Sequence, residues 1–164
     1  MTERIIHPFE PFCDVESRVL ILGTMPSPKS RETQFFYGHP QNRFWRIMAE
    51  LFDEEPLLTV PEKCRFLREH HIALWDVLGE CEIKGADDSS IRNPVPADLS
   101  RVFVVSSIRA VFTNGQKAAL YYRKFHQEKY AVPWYALPST SPANCRNWTY
   151  ETLKAEYSRI LQYL

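Results

Sequence analysis

The segment Arg18-Val-Leu-Ile-Leu-Gly23 constrains the fold more than any other stretch of the chain. A short apolar run with no polar face, stopped by glycine, predicts a strand covered on both sides. Ile72-Ala-Leu-Trp-Asp-Val77, Ala110-Val-Phe-Thr113 and Val132-Pro-Trp-Tyr-Ala-Leu137 read the same way, with Pro133 placing the last at a sheet edge or a strand start. Helical patterns lie between them. The first runs from Arg43 to Phe52 behind Asn42 as cap, with Phe44, Ile47, Met48 and Leu51 on one face. Others run from Pro61 to about His70, over 99–107 behind Asp98, over 116–126, and from about Thr149 to Leu164. This alternation predicts a three-layer α/β/α sandwich with a small, mainly parallel four-stranded sheet, built as one domain over residues 1–164.

Ligands of such sheets bind beyond the carboxyl ends of the strands. That rule selects the loop after Gly23, the Asn114-Gly115 turn and the loop after Leu137. The first of these, Thr24 to Gln41, spans about 18 residues, longer than a plain connection needs. In the last, Ser139, Thr140 and Ser141 stand between prolines as a rigid, donor-rich turn suited to phosphate oxygens. The stretch from Gly79 to Asn93 reads as an acidic loop.

Net charge is zero, which excludes a uniformly basic surface. The charges are nevertheless segregated. Residues 23–46 carry net +3 and residues 101–150 net +6, whereas residues 47–100 carry net −7. The two basic segments contain all three selected loops, so they are expected to meet on one face and attract an anion, with the acidic segment mainly away from it. Cys13, Cys64, Cys81 and Cys145 form no CxxC pair, and the pattern favours small buried or half-buried thiols over a zinc site or disulfide framework. No apolar run reaches the roughly 18 residues of a membrane helix, and the N-terminus lacks an apolar signal core, so a cytoplasmic location is expected.

Gly23-Thr-Met-Pro-Ser27 at a strand end, Tyr37-Gly-His-Pro-Gln-Asn-Arg-Phe-Trp45, and Leu137-Pro-Ser-Thr-Ser-Pro-Ala-Asn144 carry a family resemblance. Together they resemble the two motifs of the uracil-DNA glycosylase superfamily, most of all its hypoxanthine-DNA (deoxyinosine) glycosylase branch. The HPxNRFW stretch is also similar to the mismatch-specific uracil and thymine glycosylases. The resemblance covers nearly the whole chain. It implies a uracil-DNA glycosylase-like fold and a cofactor-free repair enzyme that flips a deaminated base, deoxyinosine above others. The enzyme would hydrolyse the N-glycosidic bond and leave an abasic site. It further implies DNA as partner (a duplex with a deaminated base, or a single strand), no metal and no membrane, and a monomer. No lysine occupies a nucleophile position, so no lyase activity is expected. Uracil-cleaving relatives carry Asp or Asn two residues after the first glycine; this chain has Met25 there.

By the same resemblance Asn42 is the catalytic group, holding water at the anomeric carbon and offering its carbonyl dipole to an oxocarbenium-like sugar. A plain helix N-cap is the alternative. Tyr37 is the stacking platform, while Phe35 and Phe36 read as core cover. His39 is a donor to the departing base or to a phosphate, or else a loop strut. Asn114 reads the lactam edge of the base or is an ordinary turn residue; Gly23, Thr24 and Met25 complete the base pocket. Ser27, Ser139, Thr140 and Ser141 grip the DNA backbone. Asn144 and Arg146 stand where a wedge enters the duplex, Arg146 alternatively contacting a phosphate. Asp76 reads as a structural hydrogen-bond acceptor, and a Cys145–His39–Asp76 triad lacks a nucleophile-elbow pattern. Two other functions remain open: a mismatch-specific uracil-DNA glycosylase, and a non-catalytic module that binds DNA lesions or nucleotides.

Overall fold

The structure, a computed structural model, describes residues 2–164. The chain runs β1 (Glu3–Ile6), β2 (Val19–Gly23), α1 (Pro28–Thr33), α2 (Phe44–Leu51), α3 (Val60–Glu69), β3 (Ile72–Asp76), β4 (Leu78–Lys84) and β5 (Asp87–Pro96). It continues through α4 (Ser100–Phe103), β6 (Ala110–Asn114), α5 (Gln116–Phe125), β7 (Trp134–Leu137) and α6 (Tyr150–Tyr157). The main sheet has the order β3-β2-β6-β7 and is parallel throughout. Every residue of β2, β3 and β6 is buried, so both faces are covered and the sheet is the middle layer of an α/β architecture, as the apolar runs predicted. β7 lies at the edge, with Pro133 just before it, where its missing N–H costs no ladder bond.

The structure departs from the sequence reading in four places. The acidic stretch after Gly79 is a β-hairpin, β4–β5, which pairs with β1 to form a second, antiparallel sheet. Its residues alternate in burial: Cys81 and Ile83 point inward while Glu80 and Glu82 point toward solvent. The charges of the outer face hide that period of two when composition alone is weighed. The loop 24–41 contains α1, capped by the Ser27 hydroxyl, which accepts the Ser30 N–H at 3.2 Å. The helix read over 99–107 stops at Phe103, before the exposed β-branched pair Val104 and Val105. The last helix tightens to a 3₁₀ turn after Tyr157. Among the described residues no helix is long and apolar enough to cross a membrane.

Candidate active site

Parallel register decides which residues stand together. Gly23 is aligned with Asp76, and Leu22 with Thr113, so Gly23, Asp76 and Asn114 sit abreast at the carboxyl edge of the sheet. Over this edge lies a cavity of about 290 Å³. Gly23, Thr24, Met25, Ser27, Tyr37, His39, Asn42, Asn114, Ser139 and Ser141, all singled out from the sequence, line it. Thr140, Asn144 and Arg146 do not.

Asn42 ends the long loop one residue before the cap of α2. Its Oδ1 accepts the Phe44 N–H at 3.0 Å, and its own N–H donates to His39 O at 2.9 Å. The side chain therefore has a fixed aim and keeps a lone pair and its amide hydrogens for a further partner. It lines this cavity and a neighbouring groove of about 530 Å³. His39 is exposed, and its Nδ1 accepts the Gln41 N–H at 3.1 Å. Tyr37 takes a left-handed backbone, φ 52°, which is unfavourable for a ring-bearing residue and persists only where its surroundings enforce it. One face of the ring packs on Phe44, 4.2 Å between centroids. Its buried hydroxyl has no hydrogen-bond partner, and burial together with the nearby Asp76 charge holds the phenol well above its ordinary range. Phe35 and Phe36 are buried core, as the sequence suggested, although Phe36 also touches the cavity.

Asn114 is tied on both ends of its amide. Its Nδ2 donates to Thr140 Oγ1 and its Oδ1 accepts the Thr140 N–H, each at 3.0 Å. The expected contact of Thr140 with the DNA backbone is overturned by this geometry: the residue is fully buried and its hydroxyl faces Asn114. Ser139 Oγ accepts the Ser141 N–H, and Ser141 caps the following 3₁₀ turn. Asn144 Nδ2 donates to Ser139 O at 3.1 Å, and Arg146 is exposed on the turn beyond. Arg43 ties the two motif loops together, its guanidinium donating to Trp148 O at 2.7 Å and Ser141 O at 3.4 Å.

The expected charge segregation fails at this site. Among the described residues that line the cavity none is Lys or Arg, while Asp76 and Asp88 from the acidic segment both do. The cations of residues 23–46 are committed elsewhere: Lys29 to Glu32, Arg31 to Pro26 O and Glu3, Arg46 to Glu50, and Arg43 as above. Cys145 is exposed and lies outside the cavity, so no triad with His39 and Asp76 forms; Cys81 is buried, and Cys13 and Cys64 are half-buried.

Two functional candidates escaped the sequence reading. His7, in the segment after β1, donates from Nε2 to Asp76 Oδ2 at 2.6 Å and stacks on Trp75; both members of the pair are nearly inaccessible. Asp88, the second residue of β5, lies in an acidic run whose composition hides the hairpin. Burial pushes its carboxyl up to about 6; the Asp76 charge adds to this, while the Thr24 hydroxyl and Lys117 oppose it.

Gly23 sets the size of the floor. A Cβ there would lie 2.6 Å from Asp76 Oδ1 and 3.3 Å from the Tyr37 hydroxyl. The carboxylate is held from behind by His7 and has no room to yield. Gly23→Ala is therefore expected to destabilise the fold by ~1–3 kcal/mol, the usual cost of overpacking, measured by denaturant unfolding. An unchanged unfolding midpoint would show that the floor gives way.

Comparison with known proteins agrees with this geometry. Residues 10–164 match the model of the uracil DNA glycosylase superfamily. The chain is 33% identical over 140 residues to a hypoxanthine DNA glycosylase of Methanosarcina acetivorans, covering 84% of this chain and 87% of that protein. It is 29% identical over 115 residues to a hypoxanthine DNA glycosylase of Methanosarcina barkeri, covering 69% and 73%. A solution NMR structure of a proposed uracil DNA glycosylase from M. acetivorans superposes with a TM-score of 0.78 at 29% identity, covering 96% of this chain and 99% of that one. A parallel sheet with these motif loops at its carboxyl edge, matched along nearly its whole length, places the chain in one family: it belongs to the uracil DNA glycosylase superfamily.

Proposed function

We propose that this DNA glycosylase removes hypoxanthine from DNA, taking the deoxyinosine out of the helix into the cavity and hydrolysing its N-glycosidic bond. The observation that carries this reading is the convergence of Asn42, Tyr37 and Asp76 on one cavity whose wall holds Met25. A thioether neither activates water nor holds it firmly. Water placement therefore falls to Asn42, whose free lone pair accepts a water hydrogen without titrating. Asp76 accepts the N1–H of the lactam edge, the donor that hypoxanthine has and adenine lacks. Tyr37 supplies the stacking surface, returning part of the few kcal/mol that extrusion costs. Ser27, Ser139 and Ser141 rim the cavity and offer hydroxyls to the backbone, with Asn144 and Arg146 on the turn that faces the duplex gap. The chain acts as a single domain and a monomer on duplex DNA in the cytoplasm, without metal or cofactor, and leaves an abasic site.

The test is a single-turnover panel of duplexes containing inosine, uracil, xanthine or no lesion, scored by free base and by strand breakage after alkali. Release of hypoxanthine ahead of the other bases supports the reading. Release of uracil alone overturns the base assignment, and binding without free base overturns catalysis. Tyr37→Ala is expected to weaken lesion-specific binding by the ~1–3 kcal/mol of one stacked base, about 5- to 150-fold, in a fluorescence anisotropy titration. Tyr37→Phe, which removes only the unpartnered hydroxyl, is expected to bind as well as the wild type and unfold no earlier.

A further inference from the structure

We propose that Asp88, which the β4–β5 hairpin brings into the cavity wall, is the general acid that protonates the departing purine at N7. The inference rests on the deoxyinosine reading above. Hypoxanthine leaves poorly as an anion, and a proton on N7 makes it a neutral leaving group. The cavity offers few donors. Asn42 and Asn114 do not titrate, and the Tyr37 phenol is too weak an acid in its buried position. His39 stands at the exposed rim with its Nδ1 taken by the Gln41 N–H, and Asp76 is held by His7. Asp88 is the remaining carboxyl in the cavity wall. Burial and the Asp76 charge keep a proton on it up to about pH 6, so about one molecule in ten still carries that proton at pH 7.

The arrangement also matches the base. N1–H, O6 and N7 follow one another along one edge of hypoxanthine. Asp76 and Asp88 line one cavity and the Asp76 charge is felt at Asp88, so Asp76 accepts from N1–H while a protonated Asp88 donates to N7. The charged and titratable groups around Asp88 are Asp76 at the end of β3, Lys117 and Tyr121 on α5, Cys81 on β4 and its neighbour Asp87. In the step, the C1′–N9 bond breaks and its electron pair stays on the purine, which receives the Asp88 proton at N7. The water held by Asn42 forms the new C1′–O bond and releases its proton to solvent. Solvent then reprotonates Asp88, and the products are neutral hypoxanthine and the abasic sugar.

Single-turnover excision from an inosine duplex is measured between pH 5 and 8 for the wild type, Asp88→Asn and Asp88→Glu. The wild-type rate is expected to fall about tenfold per unit above pH 6, as the acid form is lost. Asp88→Asn is expected to be about 10²-fold slower at pH 5.5, within the usual range for a lost general acid, with a flat profile. Asp88→Glu is expected to restore a falling limb. Because burial disfavours the Asp88 charge, Asp88→Asn is also expected to melt no earlier than the wild type at pH 7.5, where a merely structural carboxylate would lower the melting point. If Asp88→Asn does not fold, the Glu variant decides, and a Glu variant without a falling limb overturns the proposal. A wild type that releases hypoxanthine while Asp88→Asn keeps its rate and pH profile overturns this inference alone. A wild type that releases no hypoxanthine overturns the functional reading and this inference with it.

Discussion

Asn42→Ala is expected to slow single-turnover release of hypoxanthine about 10²–10³-fold, the loss typical of removing one preorganised polar group from the transition state. The side chain also accepts the Phe44 N–H at the start of α2, so the same change removes a helix-capping bond. That loss amounts to ~1 kcal/mol, which lowers the melting temperature of a chain this size by roughly 2–4 °C. The two effects are separable because they differ in scale: a variant still almost fully folded at 25 °C loses nearly all its rate. Asn42→Asp keeps an acceptor for the Phe44 N–H and should regain the melting temperature, leaving its rate to report on chemistry alone. Full excision by Asn42→Ala would reduce Asn42 to a structural acceptor for the Phe44 N–H and move water placement to another residue of the cavity.

His7→Ala is expected to be the most destabilising single change near the site. It removes the donor to Asp76 Oδ2 and leaves that carboxylate buried without its partner. Breaking a buried pair on one side costs ~3–5 kcal/mol, here a fall in melting temperature of roughly 6–20 °C. The imidazole also stacks on Trp75, with 4.3 Å between ring centroids, so part of the loss is packing. A double-mutant cycle with Asp76→Ala divides the two. If the pair is the main term, the double variant is less destabilised than the sum of the singles by at least ~1 kcal/mol. Additivity within ~0.5 kcal/mol would make His7 a packing residue only. Excision is expected to fall in His7→Ala even at temperatures where the protein is folded, because Asp76 loses the group that fixes its orientation at the cavity floor.

The outlines of the main sheet were legible in the chain. Val19 to Leu22, Ile72 to Trp75 and Ala110 to Phe112 are unbroken apolar runs, and only a strand buried on both faces needs such a run. Asn42 before an amphipathic helix and the hydroxyl run at 139–141 were equally local signals. What failed was of one kind. Charge sums over residues 23–46 assumed that cations in one segment share one exposed face, yet Arg43 and Arg31 point inward to carbonyls. Thr140 looked like its neighbours Ser139 and Ser141 until Asn114 took both its hydroxyl and its N–H. The β4–β5 hairpin hid behind its acidic outer face, and Asp88 with it.

The sequence by itself determined the four strands of the main sheet, where they stop, and which two loops leave their carboxyl ends. These follow from periodicity and from single residues such as Gly23 and Pro133, whose effects reach only a few positions along the chain. The tertiary structure alone decided which side chains meet. His7 and Asp76 are 69 residues apart, Arg43 and Trp148 105 apart, and the cavity draws lining residues from six separate stretches between Gly23 and Ala143. Strand order and register bring them together, and β2, β3 and β6, buried on both faces, carry no alternation that would mark their register locally.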